Sequence, residues 1–256
     1  MTDGFDGRTA VVTGGSRGIG LAVVRALLAR GASVILTSRS EESARAVAEG
    51  LGSERVRGFG AHSADPDAAQ ACADFALSTF GSLDVLVNNA GTNPAYGPVV
   101  DQDRGRFLKT LEVNLWAPAL WTGVAWRAWM REHGGVVVNV ASVGAYLAAP
   151  GLGVYGASKA ALVHLTRQLA AELAPGVRVT AVAPGVVRTA LSRALWEGRE
   201  GAAGSATLLG RTGRVEEVAD AVCWLASAGA GWVTGETLVL DGGERIVGPR
   251  IAAGPG

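Results

Sequence analysis

Lysine is nearly missing from this chain of 256 residues: of its 23 basic residues only Lys109 and Lys159 are lysine, and the rest are arginine. Cysteine is scarce too. Cys72 and Cys223 stand alone in helical patterns, without metal-ligand spacing or a neighbouring histidine. That excludes a disulfide scaffold and a cysteine-based metal site, and fits buried free thiols in a reducing cytosol, although one bridge between them stays open. His62, His133 and His164 are scattered, so no metal centre is expected. The formal net charge is zero and no basic run occurs, which removes the electrostatic footprint of a nucleic-acid binder. No apolar stretch reaches spanning length without a charged or polar interruption. The start, Met1-Thr2-Asp3-Gly4-Phe5-Asp6, has no basic region of a signal peptide, and the end, Ala253-Gly254-Pro255-Gly256, carries no peroxisomal or membrane address. A cytoplasmic protein is expected.

What is present is a large core: 48% of residues are hydrophobic and only 18% charged. Apolar, β-branched runs alternate with helical patterns throughout. Strands are expected at 8–13, 33–38, 56–61, 83–88, 135–141, 176–183 and 237–240, with helices at 18–30, 41–51, 66–80, 103–132, 154–173 and 215–228. Asp65 reads as an N-cap with Pro66 in the first helical position, and Pro118 as the place where the long helix would bend. Regular alternation implies an α/β fold: a doubly wound, mostly seven-stranded parallel sheet with helices on both faces, of Rossmann type. No linker or repeat divides residues 1–256, so a single domain is expected. The weakly patterned stretch 189–214, rich in Gly, Ala and Ser, reads as a lid inserted over the site.

The first strand ends in Thr13-Gly14-Gly15-Ser16-Arg17-Gly18-Ile19-Gly20 and a helix follows. Glycines there let the backbone approach a pyrophosphate, and the helix N-terminus offers free N–H groups and a positive dipole end. About 20 residues further on, an NAD-binding fold commonly places an acid for the ribose hydroxyls. This chain has Thr37-Ser38-Arg39-Ser40 instead. With no acid at Ser38, and with Arg39 and Arg17 able to grip a 2′-phosphate from two sides, the expected cofactor is NADP(H), NAD(H) being less favoured. The bland alternative is two solvated arginines in an arginine-rich chain.

Ser142, Tyr155 and Lys159 carry the chemistry. Spacing of four puts Tyr155 and Lys159 on one helix face. A phenol normally titrates near ~10. A compact ammonium beside it, which arginine could not imitate, is expected to lower that value and make Tyr155 a general acid/base near neutral pH. Ser142 could hydrogen-bond the reacting oxygen. On its own, a tyrosine four residues before a lysine is also an ordinary feature of helix surfaces.

Taken in order, Thr13-Gly14-x-x-x-Gly18-x-Gly20, Asn88-Asn89-Ala90-Gly91, Asn114, Ser142, Tyr155-x-x-x-Lys159 and Pro184-Gly185 resemble the short-chain dehydrogenase/reductase family over essentially the whole chain. The resemblance implies Tyr155 as proton donor or acceptor, Lys159 on the nicotinamide ribose, Ser142 orienting the carbonyl or hydroxyl, and Asn114 holding a water that links Lys159 to solvent. Gly14, Ser16, Gly18, Ile19 and Gly20, with Arg17 toward the 2′-phosphate, are the expected cofactor-binding residues of the glycine loop, and the resemblance implies that Asn89, Ala90 and Gly91 line the adenosine and ribose channel. Pro184, Gly185, Val187 and Thr189 would meet the nicotinamide. Relatives often have an aspartate for the adenine amine where this chain has His62; the imidazole could accept from the amine or stack, or Ser63 makes the contact. Tyr96, Val143, Tyr146, Leu191, Leu195 and Trp196 are the expected substrate wall.

Within the family the segments 92–98, 117–120 and 191–196 are similar to NADPH-dependent carbonyl and retinal reductases of the peroxisomal type. The chain is also similar to 3-oxoacyl-carrier-protein reductases. The reading is a reductase or dehydrogenase of a small carbonyl/alcohol pair, with thioester reduction as the alternative. A carrier protein would want a basic entrance, and Arg188, Arg193 and Arg199 are diluted by Glu197 and Glu200. A catalytically dead dinucleotide scaffold, the remaining alternative, would be expected to have lost Ser142, Tyr155 or Lys159. Trp116, Trp121, Trp126 and Trp129 crowd the long helix, either as intramolecular core or as a subunit interface of the homotetramer, or homodimer, that the resemblance implies.

Overall fold

The computed structural model describes residues 4–190, 192 and 206–246. Seven strands form one sheet: β1 (Thr9–Val12), β2 (Ser33–Ser38), β3 (Val56–Gly60), β4 (Val85–Asn88), β5 (Gly135–Val140), β6 (Val177–Pro184) and β7 (Thr237–Leu240). Their order is β3-β2-β1-β4-β5-β6-β7, and every pairing is parallel. The strands are Val-rich because both sheet faces are covered. Successive side chains serve opposite cores. Val12, Leu36 and Val87 join Val23, Leu27 and Val222 on one face. Val11, Ile35 and Leu86 join Cys72, Ala76 and Val124 on the other.

The first face is covered by α1 (Gly18–Ala29), α2 (Glu41–Gly50) and α8 (Val215–Ala226). The second carries α3 (Pro66–Phe80), α5 (Ala117–Ala125) and α7 (Gly153–Leu173). Asp65 caps α3, accepting from the Asp67 and Ala68 N–H groups. Both cysteines are buried and free, which closes the question of a bridge.

The expected single helix over 103–132 is a chain of segments. α4 (Arg104–Leu111) passes through a π turn (Glu112–Trp116) into α5, then through a second π turn (Trp126–Met130) into α6 (Arg131–His133). Pro118 falls in the first turn of α5, so the wider π turn before it takes up the distortion that the ring would otherwise cause. The tryptophans divide: Trp121 is core, whereas Trp116 is 53% exposed. Among the described residues no helix is long and apolar enough to cross a membrane.

Candidate active site

The carboxyl ends of β1, β2, β4, β5 and β6 open onto one cleft, beside the point where strand order reverses between β1 and β4. The glycine loop at the end of β1 is clamped from both sides. Thr13 Oγ1 accepts from the Asn89 and Ala90 N–H groups at 3.0 and 3.1 Å. The Asn89 amide donates to the Thr13 and Gly14 carbonyls at 2.9 and 3.0 Å. From β2, the Thr37 carbonyl accepts from Gly15 N–H at 2.9 Å, and Ser16 and Ser38 hydroxyls meet at 3.4 Å. Asn89, expected to line the adenosine channel, thus spends its side chain holding the loop.

This loop fits a dinucleotide. Gly14 has φ of +63°, and a Cβ there would press on the Ala90 backbone at 3.1 Å; a Cβ on Gly20 would collide with the Asn89 amide. Arg17, the residue before α1, gives no side-chain cap, so the first-turn N–H groups face the cleft unpaired by it. Ile19, partly buried, packs on the core beneath the loop. Arg17 and Arg39 are both exposed, and Ser38 is half-buried. The first acid after β2, Glu41, turns its carboxylate onto the Gly60 N–H.

The chemical end is built on β5 and α7. Tyr155 stands in the first turn of α7, and its phenol hydrogen-bonds Ser142, which follows β5. Ser142 Oγ also accepts from Gly144 N–H at 3.1 Å. Lys159, 3% exposed, donates to the Val140 carbonyl at 2.8 Å and lies 5.8 Å from the Tyr155 ring centroid. Burial pulls its ammonium down to about 8. Tyr155 does not follow expectation. Burial pushes the phenol above its ordinary value, and the Ser142 hydrogen bond opposes this without reversing it. The ammonium is anchored on Val140 and does not touch the phenol oxygen, so in this state desolvation wins.

Asn114 sits in the π turn, fully buried. Its side chain is spent: Oδ1 accepts from Thr92 N–H at 2.8 Å, while Nδ2 donates to the Thr92 carbonyl at 2.9 Å and Ser158 Oγ at 3.0 Å. A water could therefore be held only by its backbone carbonyl. Pro118, four residues on, has no N–H to give that carbonyl. Gly91 closes the group, since a Cβ there would lie 3.6 Å from Asn114 Oδ1 and 3.7 Å from Lys159 Nζ.

Pro184 ends β6 and Gly185 N–H donates to the Leu240 carbonyl at 3.0 Å. Val187 is buried and bridges Gly213, so the stretch expected to be a lid leaves and returns at one place. Thr189 overlies Gly18, 3.4 Å from where a Cβ would stand. Leu191, Leu195 and Trp196, with Arg193, Glu197, Arg199 and Glu200, lie outside the described residues. Of the remaining expected substrate wall, Tyr146 is 41% exposed under the Arg245 guanidinium, Tyr96 is 64% exposed against Gly151, and Val143 is buried beside Ser142. His62 and Ser63 follow β3; the Ser63 carbonyl accepts from Trp121 Nε1 at 2.7 Å.

Thr92, Val140 and Ser158 have no role assigned from sequence, and Thr13 only a place in the glycine motif, yet each holds a site residue. Ser158 also left a signal, standing three residues after Tyr155, whose carbonyl it binds at 2.6 Å.

The family model described as "Enoyl-(Acyl carrier protein) reductase" matches residues 14–244. The chain is 38% identical over 250 residues to dehydrogenase/reductase SDR family member 4 of Caenorhabditis elegans, covering 94% of this chain and 96% of that protein. It is a short-chain dehydrogenase/reductase. It is also 36% identical over 244 residues to the 3-oxoacyl-[acyl-carrier-protein] reductase FabG of Escherichia coli (strain K12), covering 95% and 99% of the two chains. The solved gluconate 5-dehydrogenase of Burkholderia cenocepacia J2315, in complex with NADP and tartrate, superposes with a TM-score of 0.91 at 31% identity, covering 96% and 98%. This family of oxidoreductases uses a nicotinamide dinucleotide, which the glycine cradle fits.

Proposed function

We propose that the chain is an NADP(H)-dependent reductase or dehydrogenase of a carbonyl/alcohol pair, with Tyr155 as its general acid/base. The observation that carries this reading is the Tyr155 phenol, bonded to Ser142 at the mouth of the cleft, with the buried Lys159 ammonium behind it. The nicotinamide, when bound, supplies or accepts the hydride at the substrate carbon. Ser142 donates a hydrogen bond to the substrate oxygen and orients it. Tyr155 gives its proton to that oxygen as it becomes an alkoxide, so carbonyl, hydride and proton make the alcohol. A phenol held protonated by burial is ready for this direction. Lys159 stabilises the phenolate left behind, and the Asn114 backbone carbonyl holds the water through which it is reprotonated.

NADP(H) is supported by Arg17 and Arg39, by the serine at 38, and by the NADP in the Burkholderia structure. Reduction of a 3-oxoacyl thioester is the second reading, favoured by the likeness to FabG. A cytoplasmic homotetramer is the assembly proposed. Trp116 and Leu108 are exposed beside Leu115, Ala119 and Leu165 on a mostly apolar groove, edged by Lys109 and Glu112, whose apolar part a second copy would cover. Purified protein assayed with NADPH against ketones, aldehydes, quinones and acyl thioesters tests the activity. Turnover that requires the Tyr155 hydroxyl supports it, and none on any class overturns it.

A further inference from the structure

The two lysines of this arginine-rich chain stand at different places: Lys159 is buried on α7, and Lys109 lies on α4, at the edge of the groove it lines with Glu112 and Leu108. Lys159 is at the chemical end. Lys109, on α4, reaches the loop after β3, where its Nζ lies 3.1 Å from His62 Nε2 and donates to Glu112 Oε2 at 2.9 Å. A dinucleotide with its pyrophosphate against α1 and its 2′-position at the end of β2 would set its base toward the loops after β3 and β4. Those loops meet: Ser63 and Ala90 line one small cavity with Thr13 and Trp121. His62 precedes Ser63 on the loop after β3 and has the Lys109 ammonium beside it.

Hydrogen-bond accounting decides what this pair can read. His62 Nδ1 already faces the Ala64 N–H at 3.3 Å, and Nε2 faces an ammonium, which can only donate. A neutral imidazole has one lone pair for these two donors, and a protonated one has none and would set two cations 3.1 Å apart. No lone pair on His62 is left for the 6-amino group of adenine. Asp65, the next acid, turns Oδ1 onto its own helix. Lys109 has three N–H bonds, with one directed at Glu112 and at most one at His62, so at least one donor remains.

We propose that Lys109, held by Glu112 and His62, reads the purine edge of the cofactor, and reads it as an acceptor. The chain therefore does not select the 6-amino group. This rests on the NADP(H) reading above.

The test uses NADPH and the reduced hypoxanthine analogue of NADP, which carries a 6-oxo group in place of the 6-amino group. Both are titrated by nicotinamide fluorescence into wild type, His62→Asp, Lys109→Met and Glu112→Gln. Wild type should bind the two within about threefold, since neither is favoured by more than a fraction of a hydrogen bond. His62→Asp should create a preference for adenine of roughly tenfold or more, because a carboxylate accepts from the amine and repels the carbonyl oxygen. Lys109→Met should weaken the 6-oxo form more than the adenine form. A wild-type preference for adenine of about tenfold or more overturns the proposal; loss of that preference in Glu112→Gln would name Glu112 as the acceptor instead. An unchanged ratio in Lys109→Met also overturns it, by showing that Lys109 does not touch the base. If neither dinucleotide binds, the cofactor reading itself fails.

Discussion

The two ends of the cleft are built in opposite ways. At the chemical end each catalytic side chain already has a partner: Lys159 has Val140, Tyr155 has Ser142, and Asn114 has Thr92 and Ser158. At the far end Arg17 and Arg39 are exposed, and neither forms an ion pair among the described residues. Buried groups must be satisfied internally, because an unpaired one costs about 1–3 kcal/mol. Exposed cations are satisfied by water and can wait for a ligand. Chemistry therefore sits where geometry is fixed before binding, and cofactor choice sits where charge is free to be recruited.

The comparison breaks most visibly at Tyr155. Tyr155→Phe keeps the ring and removes the proton, so the protein should fold and still bind NADPH while kcat on a carbonyl substrate falls by about 10²–10⁴-fold. Steady-state kinetics and a binding titration on one preparation separate the two effects. Retention of near-full kcat would falsify the assignment of the phenol. Lys159→Arg should also be severely impaired although the charge survives, because a planar guanidinium cannot fit the buried point that the ammonium occupies beside Val140. A nearly wild-type pH–rate profile in that variant would reduce Lys159 to a bystander.

Lys159 also leaves a mark on stability. Its drop from the ordinary 10.5 to about 8 corresponds to about 3 kcal/mol against the folded, protonated state. Below pH 8 folded and unfolded chains both hold the proton, and the penalty is complete. Between about 8 and 10.5 the unfolded chain holds more protons than the folded one, so this contribution to stability rises with pH. Cys72, pushed up by burial, and Cys223, pushed up to about 11, act in the other direction above their usual 9.0. The difference between wild-type and Lys159→Met denaturation curves isolates the lysine. That difference should shrink or reverse in wild type's favour across the window, and a flat difference would mean that the ammonium is solvated.

The same contrast explains what could be read in advance. Strand positions, the parallel sheet and the cap at Asp65 follow from periodicity and local side-chain chemistry, and β2, α3 and β7 fall where the pattern puts them. The glycine loop and the Tyr155–Lys159 pair carry their spacing in the chain. The partners that tune them do not. Val140 contributes a backbone carbonyl, which has no side-chain signature, and Lys109 meets His62 across 47 positions. Tyr155 was expected to be lowered by Lys159, but the sequence could not reveal that burial acts on the phenol and a carbonyl holds the ammonium. Where a proline bend is expected, a π turn precedes Pro118 and accommodates its ring and missing N–H inside a continuous helical run.

The smallest effect is expected at the open end, where water competes. A charge-assisted phosphate contact is worth roughly 1.5–3 kcal/mol, about tenfold or more in affinity. Wild type should therefore prefer NADPH to NADH by at least about that factor, and the preference should weaken with salt, since exposed charges are screened over ~10 Å at 0.1 M. Ser38→Asp combined with Arg39→Leu removes the attraction and adds a repelling carboxylate at the end of β2, so the order should reverse. Ser16 touches Ser38 and is the residue through which such an acid would also disturb the glycine loop. Arg39→Leu alone controls for that, because it should lose NADPH affinity without changing NADH. Fluorescence titration of both cofactors into the three proteins decides the matter. Equal wild-type affinities, or a double variant that still prefers NADPH, would mean that these arginines serve only solubility and that the open end recruits nothing.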